Sequence, residues 1–410
     1  MSKIIDLSVT QNGITFPNPF LLASAPPTAY GENIMRAFDH GWGGAVLKTL
    51  KPDFMDIKDV TPRFATLKDK NKVLGFQNFE LVTKRSLADW LPEIEEIKKK
   101  YPEQGLIGSI MADIKKESWQ EMAKKVQGAG CDGLELNFSC PHGMPERGIG
   151  AAIGQDPELV EQITSWVKEV SEVPVWVKIT PNIATPIPQA EAALRAGADG
   201  LAAINTVQCL MGVDIENFNP LPAVEGQTTY GGYSGRAVKP IGLRIVSQLG
   251  KMGVKSISGI GGVSDWKDAV EYMLLGSTTV QVCTEVMLRG YAIVDTMIDQ
   301  LTDYLGRKEM SAMDLVGKAL PSITNHESLS RIHQIVRHEP EQCVSCGRCV
   351  IACSDSGYSA LRMLNREILL EAEKCDGCSL CTHVCPTGSM SMQGACARPK
   401  NKRQTSYYGL

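Results

Sequence analysis

Eight of the thirteen cysteines lie between Cys343 and Cys385. Cys343, Cys346, Cys349 and Cys353 are spaced C-x2-C-x2-C-x3-C. Cys375, Cys378, Cys381 and Cys385 repeat that spacing, and Pro386 follows. Three thiolates so spaced can turn inward from one tight loop and hold three irons of a cubane. The fourth, at the start of the next turn, faces away and serves a second cluster. The spacing predicts two [4Fe-4S] clusters with exchanged fourth ligands: Cys343, Cys346, Cys349 and Cys385 for one, and Cys375, Cys378, Cys381 and Cys353 for the other. Two zinc ribbons are the alternative, but zinc is held by paired C-x2-C units rather than by two runs of four. Ser354 stands where Pro usually follows the fourth cysteine, which alters a turn and no ligand. Cys396 lies outside both motifs.

Elsewhere, residues able to do chemistry close short apolar runs: Lys48-Thr49, Asn137-Phe-Ser139-Cys140-Pro-His142, Asn205-Thr206, Gly261-Gly262 and Cys283-Thr284. Gly261, Gly262 and the nearby Gly231-Gly232 are small enough to let backbone N–H groups approach phosphate oxygens; plain tight turns are the other explanation. Lys178 interrupts the apolar run Val-Trp-Val-Lys-Ile, so it must find an anion or reach solvent. FMN has both a phosphate and a ring that becomes anionic on reduction, and Lys178 beside the N1–C2=O edge would stabilise that charge. The stretch Gly148-Ile-Gly150-Ala-Ala-Ile-Gly154 has no preceding strand and its third Gly is displaced, so it is not a dinucleotide fingerprint, and no other stretch offers a Rossmann site for NAD or FAD. Cys131, Cys209 and Cys283 read as core packing.

The elements that position these residues alternate. Near-continuous apolar runs at 20–25, 45–50, 106–112, 133–139, 173–180, 201–206, 256–261 and 278–284 predict parallel strands buried on both faces. Amphipathic stretches at 32–40, 81–100, 118–130, 157–171, 187–196, 240–252, 265–275 and 285–304 predict the helices that follow them. Eight β/α units fit an α/β fold closed into a TIM barrel better than a doubly wound open sheet, with the chemistry at the C-terminal strand ends. Gln11-Asn12-Gly13 between apolar runs at 4–9 and 14–16 predicts a hairpin capping one end. The predicted domains are a barrel over 1–305, a connecting segment over 306–338 with a short helix near 311–320, an iron–sulfur domain over 339–392, and a basic tail over 393–410.

The composition narrows the class. With 43% hydrophobic and 21% charged residues the chain is globular, and its net charge of −4 argues against a general nucleic-acid binder. It has no apolar run long enough for a transmembrane helix and no export signal at the start, so the expected location is the cytoplasm, where thiols serve metals and catalysis rather than disulfides.

The run Leu134-Glu-Leu-Asn-Phe-Ser-Cys-Pro-His-Gly-Met144, with Glu146-Arg-Gly148 after it, resembles dihydropyrimidine dehydrogenases. So do Asn205-Thr206, the loop Thr229-Tyr-Gly-Gly-Tyr-Ser-Gly235 and the closing double-cluster domain. The resemblance spans nearly the whole chain and looks like the FMN and iron–sulfur subunit of the bacterial two-subunit, NAD-dependent enzymes. It implies an FMN-binding barrel with a ferredoxin-like domain that interconverts uracil or thymine and the 5,6-dihydro forms. In that chemistry hydride passes from flavin N5 to pyrimidine C6, and Cys140 is the general acid at C5. The resemblance assigns the pyrimidine to Asn78, Asn137, Ser139, Asn205 and Thr206. It assigns FMN to Ala23, Ser24, Lys48 and Lys178, and the strand-end residues Thr49, Gly232, Gly261, Gly262 and Thr284 complete the expected cofactor set. An Asn amide offers both a donor and an acceptor to a ring edge that alternates N–H and C=O. His142 is the alternative acid. NAD and FAD would sit on a partner subunit, in a heterotetramer of two of each. Dihydroorotate dehydrogenases share the barrel and FMN and are the alternative enzyme; an electron-transfer subunit without a substrate is the other alternative.

Overall fold

The computed structural model describes residues 5–141 and 143–392. The chain divides into two compact units at Ile323/Thr324. In the first, eight parallel strands close a barrel in sequence order: β1 (Phe20–Leu22), β2 (Gly44–Val46), β3 (Gly105–Ile110), β4 (Gly133–Asn137), β5 (Val175–Ile179), β6 (Gly200–Ala203), β7 (Ile257–Ile260) and β8 (Thr279–Val282). Each lies within one of the predicted runs or begins one residue before it. The helices pack outside through buried aromatic and aliphatic residues such as Trp90, Trp119, Ile34 and Ile94. Each such side chain contributes about 1.5–3 kcal/mol of hydrophobic stabilisation.

The alternation along β4 and β5 points Glu135, Asn137, Trp176 and Lys178 inward. Asn137 lies opposite Lys178 in the β4–β5 register, so both reach the same level at the C-terminal end. The expected hairpin pairs Val9–Gln11 with Ile14–Phe16, and Asn12 (φ 52°) and Gly13 (φ 84°) supply the left-handed turn. Gln11 closes the N-terminal end of the barrel, hydrogen-bonding Ser256 at 3.0 Å and Thr279 at 2.8 Å. Ile4 lies outside the described residues.

Three expectations need correction. The segment carrying Gly231-Gly232 is not a loop, and neither is the one that ends at Asn78. Val207–Cys209, Gly231–Ser234, Lys72–Asn78 and Phe64–Asp69 form a four-stranded antiparallel sheet, built from the insertions after β2 and β6. The single last helix is two, Thr284–Arg289 and Ile293–Lys308, parted at Gly290 (φ 84°). No helix spans 311–320; 3-10 turns form at Met313–Leu315 and Leu320–Ser322, around Gly317 (φ 77°) and Pro321.

The second unit pairs Val336–His338 with Met390–Met392 and Leu361–Leu364 with Glu367–Leu370. Short helices Arg348–Asp355 and Leu380–Val384 each begin after a left-handed residue, Gly347 and Ser379. Val336, Ala360, Leu361, Ile368 and Met390 form its core, together with Cys349, Cys375 and Cys381.

Candidate active site and cluster sites

A cleft of about 1100 Å³ opens at the C-terminal ends of the barrel strands. Ala23, Ser24, Lys48, Thr49, Asn78, Asn137, Cys140, Lys178, Asn205, Thr206, Gly261, Gly262 and Thr284 all line it, so thirteen of the fifteen predicted barrel-site residues share one wall system.

The polar groups form a connected layer. Ser24 Oγ and Thr49 Oγ1 are 3.1 Å apart, and Asn137 Nδ2 donates to Thr49 Oγ1 at 2.9 Å. Asn205 Nδ2 donates to Ser139 Oγ (2.9 Å), and the Asn205 amide oxygen accepts the Thr206 backbone N–H (2.7 Å). Asn78, at the end of its strand in the antiparallel sheet, donates to the Gly232 carbonyl at 3.1 Å. Lys48 Nζ pairs with Glu80 Oε1 at 3.3 Å, and Glu80 also takes Arg63. Burial pulls the Lys48 ammonium below its ordinary pKa, and the Glu80 carboxylate opposes the shift.

Cys140 lies where the chain leaves β4, its side chain largely buried and facing the cleft beside Pro141. The loop beyond it folds back so that Ala151 N–H donates to the Cys140 carbonyl (3.0 Å). Gly150 (φ 63°) makes that return possible: a Cβ there would stand 2.9 Å from the same carbonyl oxygen. His142 lies outside the described residues.

Two predicted residues do not line the cleft. Ser139 is fully buried behind Asn137 and Asn205 and does not line the cleft. Gly232 is a strand residue against which Thr206 packs; its Cβ would fall 2.2 Å from Thr206 Oγ1. It stands behind Thr206 and does not itself line the cleft. Cys283 is also not plain core: it lines the cleft, and burial pushes its thiol up to about 11 against the pull of Lys48 and Lys178. Cys209 sits in the antiparallel sheet and Cys131 in the barrel core.

Sequence reasoning missed Glu135, Gln281, Glu80 and Arg236. Lys178 finds its anion in Glu135, 3.0 Å away on the neighbouring strand. The signal was there, because Glu135 breaks an apolar run just as Lys178 does. Arg236 stands beside Gly235 at the cleft and pairs with Glu285 at 3.1 Å.

The donor set fits FMN. Gly262 (φ 72°) meets the start of the helix Lys239–Lys251 so closely that a Cβ would lie 2.8 Å from the Lys239 nitrogen and 2.9 Å from the Gly235 carbonyl. Backbone of Gly235 and Lys239, with the Lys239 Cβ, shapes that corner next to Arg236, and such close backbone approach suits a phosphate. The buried Lys178 stands elsewhere in the same cleft.

The eight cysteines surround two cavities. One, of about 260 Å³, is lined by Cys343, Cys346, Cys349 and Cys385; the other, of about 360 Å³, by Cys353, Cys375, Cys378 and Cys381. Each therefore has three thiols of one motif and the fourth of the other. Among the described residues, no group of three or more His, Cys, Asp or Glu comes together as ligands of a single ion would. Four thiols around a cavity suit a cluster's larger body. Hydrogen bonds from Ser389 and Thr387 lower the Cys385 thiol to about 6.

A barrel of this kind with a double-cluster domain after it defines a class, and comparison with known proteins agrees. The family model described as dihydroorotate dehydrogenase matches residues 6–305, and the 4Fe-4S dicluster domain model matches 337–392. The ligand-free type DHODH from Eimeria tenella has the same barrel fold: TM-score 0.63, 21% identity, 77% of this chain and 92% of that chain covered. The NAD-dependent dihydropyrimidine dehydrogenase subunit PreA of Escherichia coli K12 is 42% identical, over 94% of this chain and 95% of its own length. The chloroplastic dihydropyrimidine dehydrogenase (NADP(+)) of Arabidopsis thaliana is 44% identical, over 79% of each. The catalytic subunit of dihydroorotate dehydrogenase B (NAD(+)) from Pyrococcus abyssi is 35% identical, over 77% of this chain. The chain belongs to the dihydropyrimidine dehydrogenase family of oxidoreductases, with a flavin-binding barrel and a 4Fe-4S dicluster domain. Among the described residues no helix is long and apolar enough to cross a membrane.

Proposed function

We propose that this chain interconverts uracil or thymine and the 5,6-dihydropyrimidines, as the catalytic part of an NAD-dependent enzyme. The observation that carries the reading is the convergence of Asn78, Asn137, Asn205, Thr206 and Cys140 on one cleft with Lys178 and the glycine corner. Three amides suit the alternating donors and acceptors of a pyrimidine edge. Ser139 acts from behind by fixing Asn205. Ala23, Ser24, Lys48, Thr49, Lys178, Gly261, Gly262 and Thr284 would hold FMN, which when bound supplies a hydride equivalent to C6 of the pyrimidine. Cys140 gives the proton to C5, or takes it in the reverse direction, and its strand-end position beside the cleft supports that role. The buried setting excludes water that would compete for the proton.

The two thiol-lined cavities support two [4Fe-4S] clusters with exchanged ligands, and such clusters carry single electrons. Electrons then travel to and from an FAD- and NAD-binding partner subunit, in a heterotetramer working in the cytoplasm. Supporting the partner is the Escherichia coli relative's name as a subunit. We assign residues 1–305 to the flavin barrel, 306–338 to the connection and 339–392 to the cluster domain, with the tail of 393–410, including Cys396, outside the described residues.

The test is an anaerobic assay of the purified chain reconstituted with FMN and iron. It should reduce uracil with a strong artificial one-electron donor and show no NADH-dependent turnover until a flavoprotein partner is added. Orotate reduction without uracil turnover overturns the substrate assignment, and robust NADH:uracil turnover by the chain alone overturns the partner.

A further inference from the structure

One side of the barrel interior is a polar column. The Thr279 hydroxyl lies 2.8 Å from the Gln11 amide oxygen and 2.9 Å from the Ser258 hydroxyl. Gln281 Nε2 donates to Ser258 Oγ (3.0 Å) and to Glu135 Oε2 (2.9 Å). The other carboxylate oxygen, Oε1, takes Lys178 Nζ at 3.0 Å. Glu135 is 1% exposed and Lys178 5%. Both oxygens of a buried carboxylate are thus fixed, one by a neutral amide and one by the cation that enters the cleft.

We propose that Glu135, held by Gln281, is a positioning residue that keeps Lys178 protonated and aimed in both redox states of the flavin, so that two-electron reduction of the ring takes up one proton and not two. The inference rests on the reading that Lys178 faces the flavin.

The reasoning is electrostatic. A buried ammonium without a counter-charge sheds its proton. The oxidised flavin ring is neutral and offers none, whereas the reduced ring is an anion and does. With Glu135 in place the ammonium is balanced throughout. Two electrons and one proton then convert the ring to its reduced anion, and Lys178 is a bystander in the proton count. Without the carboxylate charge, Lys178 is neutral beside the oxidised ring, and Nζ takes a second proton as the ring gains its electrons. The other charged and titratable groups on the walls do not replace Glu135. Lys48 on the β2 side is a second cation and offers Lys178 no counter-charge. Glu80 is engaged by Lys48 and Arg63, and Glu285 by Arg236 and Arg289. The Cys283 thiol, at about 11, is neutral near pH 7, and Cys140 is assigned to the substrate.

The experiment measures the FMN midpoint potential of the holoenzyme against pH. For a two-electron couple each proton taken up lowers the potential by about 30 mV per pH unit. Wild type should show the one-proton slope, and Glu135→Gln, nearly isosteric, should double it around neutral pH. An unchanged slope in Glu135→Gln, with a shifted potential in Lys178→Met, overturns the positioning role and leaves the flavin contact standing. A potential and slope unchanged in Lys178→Met overturn that contact itself. If Glu135→Gln fails to fold, the double variant Glu135→Gln/Lys178→Met, which has no lone buried charge, should fold and show the one-proton slope. A double variant as unstable as the single one overturns the proposal.

Discussion

Replacing Gly232 by alanine separates two roles for that glycine. Its backbone is ordinary strand, paired with Asn78 on one side and Gln208 on the other, so alanine meets no left-handed penalty there. The cost is steric and local. The new Cβ would lie 2.2 Å from Thr206 Oγ1 and 2.8 Å from Thr206 Cβ. Ordinary carbon contacts begin near about 3.5 Å, so Thr206 must retreat by about 1 Å, and because its Cβ is also too close, rotating the hydroxyl away is not enough. A reacting group misplaced by about 1 Å can cost about 10²-fold in rate, and small-to-large changes in packed sites cost about 1–3 kcal/mol of stability. The expected variant folds, binds FMN as wild type does, and loses about 10- to 100-fold in kcat/KM for uracil. Turnover driven by an artificial one-electron donor, with FMN content read from absorbance after denaturation, measures both. Loss of FMN with kcat/KM per bound flavin unchanged would refute the argument and return Gly232 to the cofactor cradle.

Changing Cys140 to alanine should leave FMN and both clusters bound and lower turnover by about 10²–10⁴-fold, the usual contribution of a general acid; near-normal turnover at neutral pH moves the role to another group, His142 first. Cys385→Ser should perturb the cluster of Cys343, Cys346 and Cys349, with which Cys385 shares a cavity; selective loss of the EPR signal from the Cys375 motif's cluster counts against exchanged ligation. Gly262→Ala adds a Cβ 2.8 Å from the Lys239 nitrogen at a residue with φ 72°. The left-handed strain, about 1–2 kcal/mol, lowers stability with or without FMN; the added Cβ, 2.9 Å from the Gly235 carbonyl, must also displace that corner, so FMN rebinding to apoprotein should weaken by about tenfold; an unchanged Kd would place the phosphate elsewhere.

The sequence alone was enough for the period of the fold and for its covalent chemistry. Eight apolar runs buried on both faces can be satisfied only by parallel strands under a layer of helices, so β1 to β8 were legible one by one. The cysteine spacing is a local property of two turns, and it implied the exchange that Cys385 and Cys353 now show in which cavity each lines. Strand ends were legible too, and with them Lys48, Asn137, Cys140, Asn205 and Gly261. Tertiary structure decided what depends on partners far apart in the chain. Lys72–Asn78 forms a local hairpin with Phe64–Asp69, but its other edge pairs with Gly231–Ser234, more than a hundred residues further on, and that long-range pairing sets Gly232 against Thr206. Glu135, Lys178 and Gln281 come from three strands, and no spacing announces that they meet inside the barrel. A sequence records which side chains alternate inward; only closure of the barrel sets which of them end up within 3 Å.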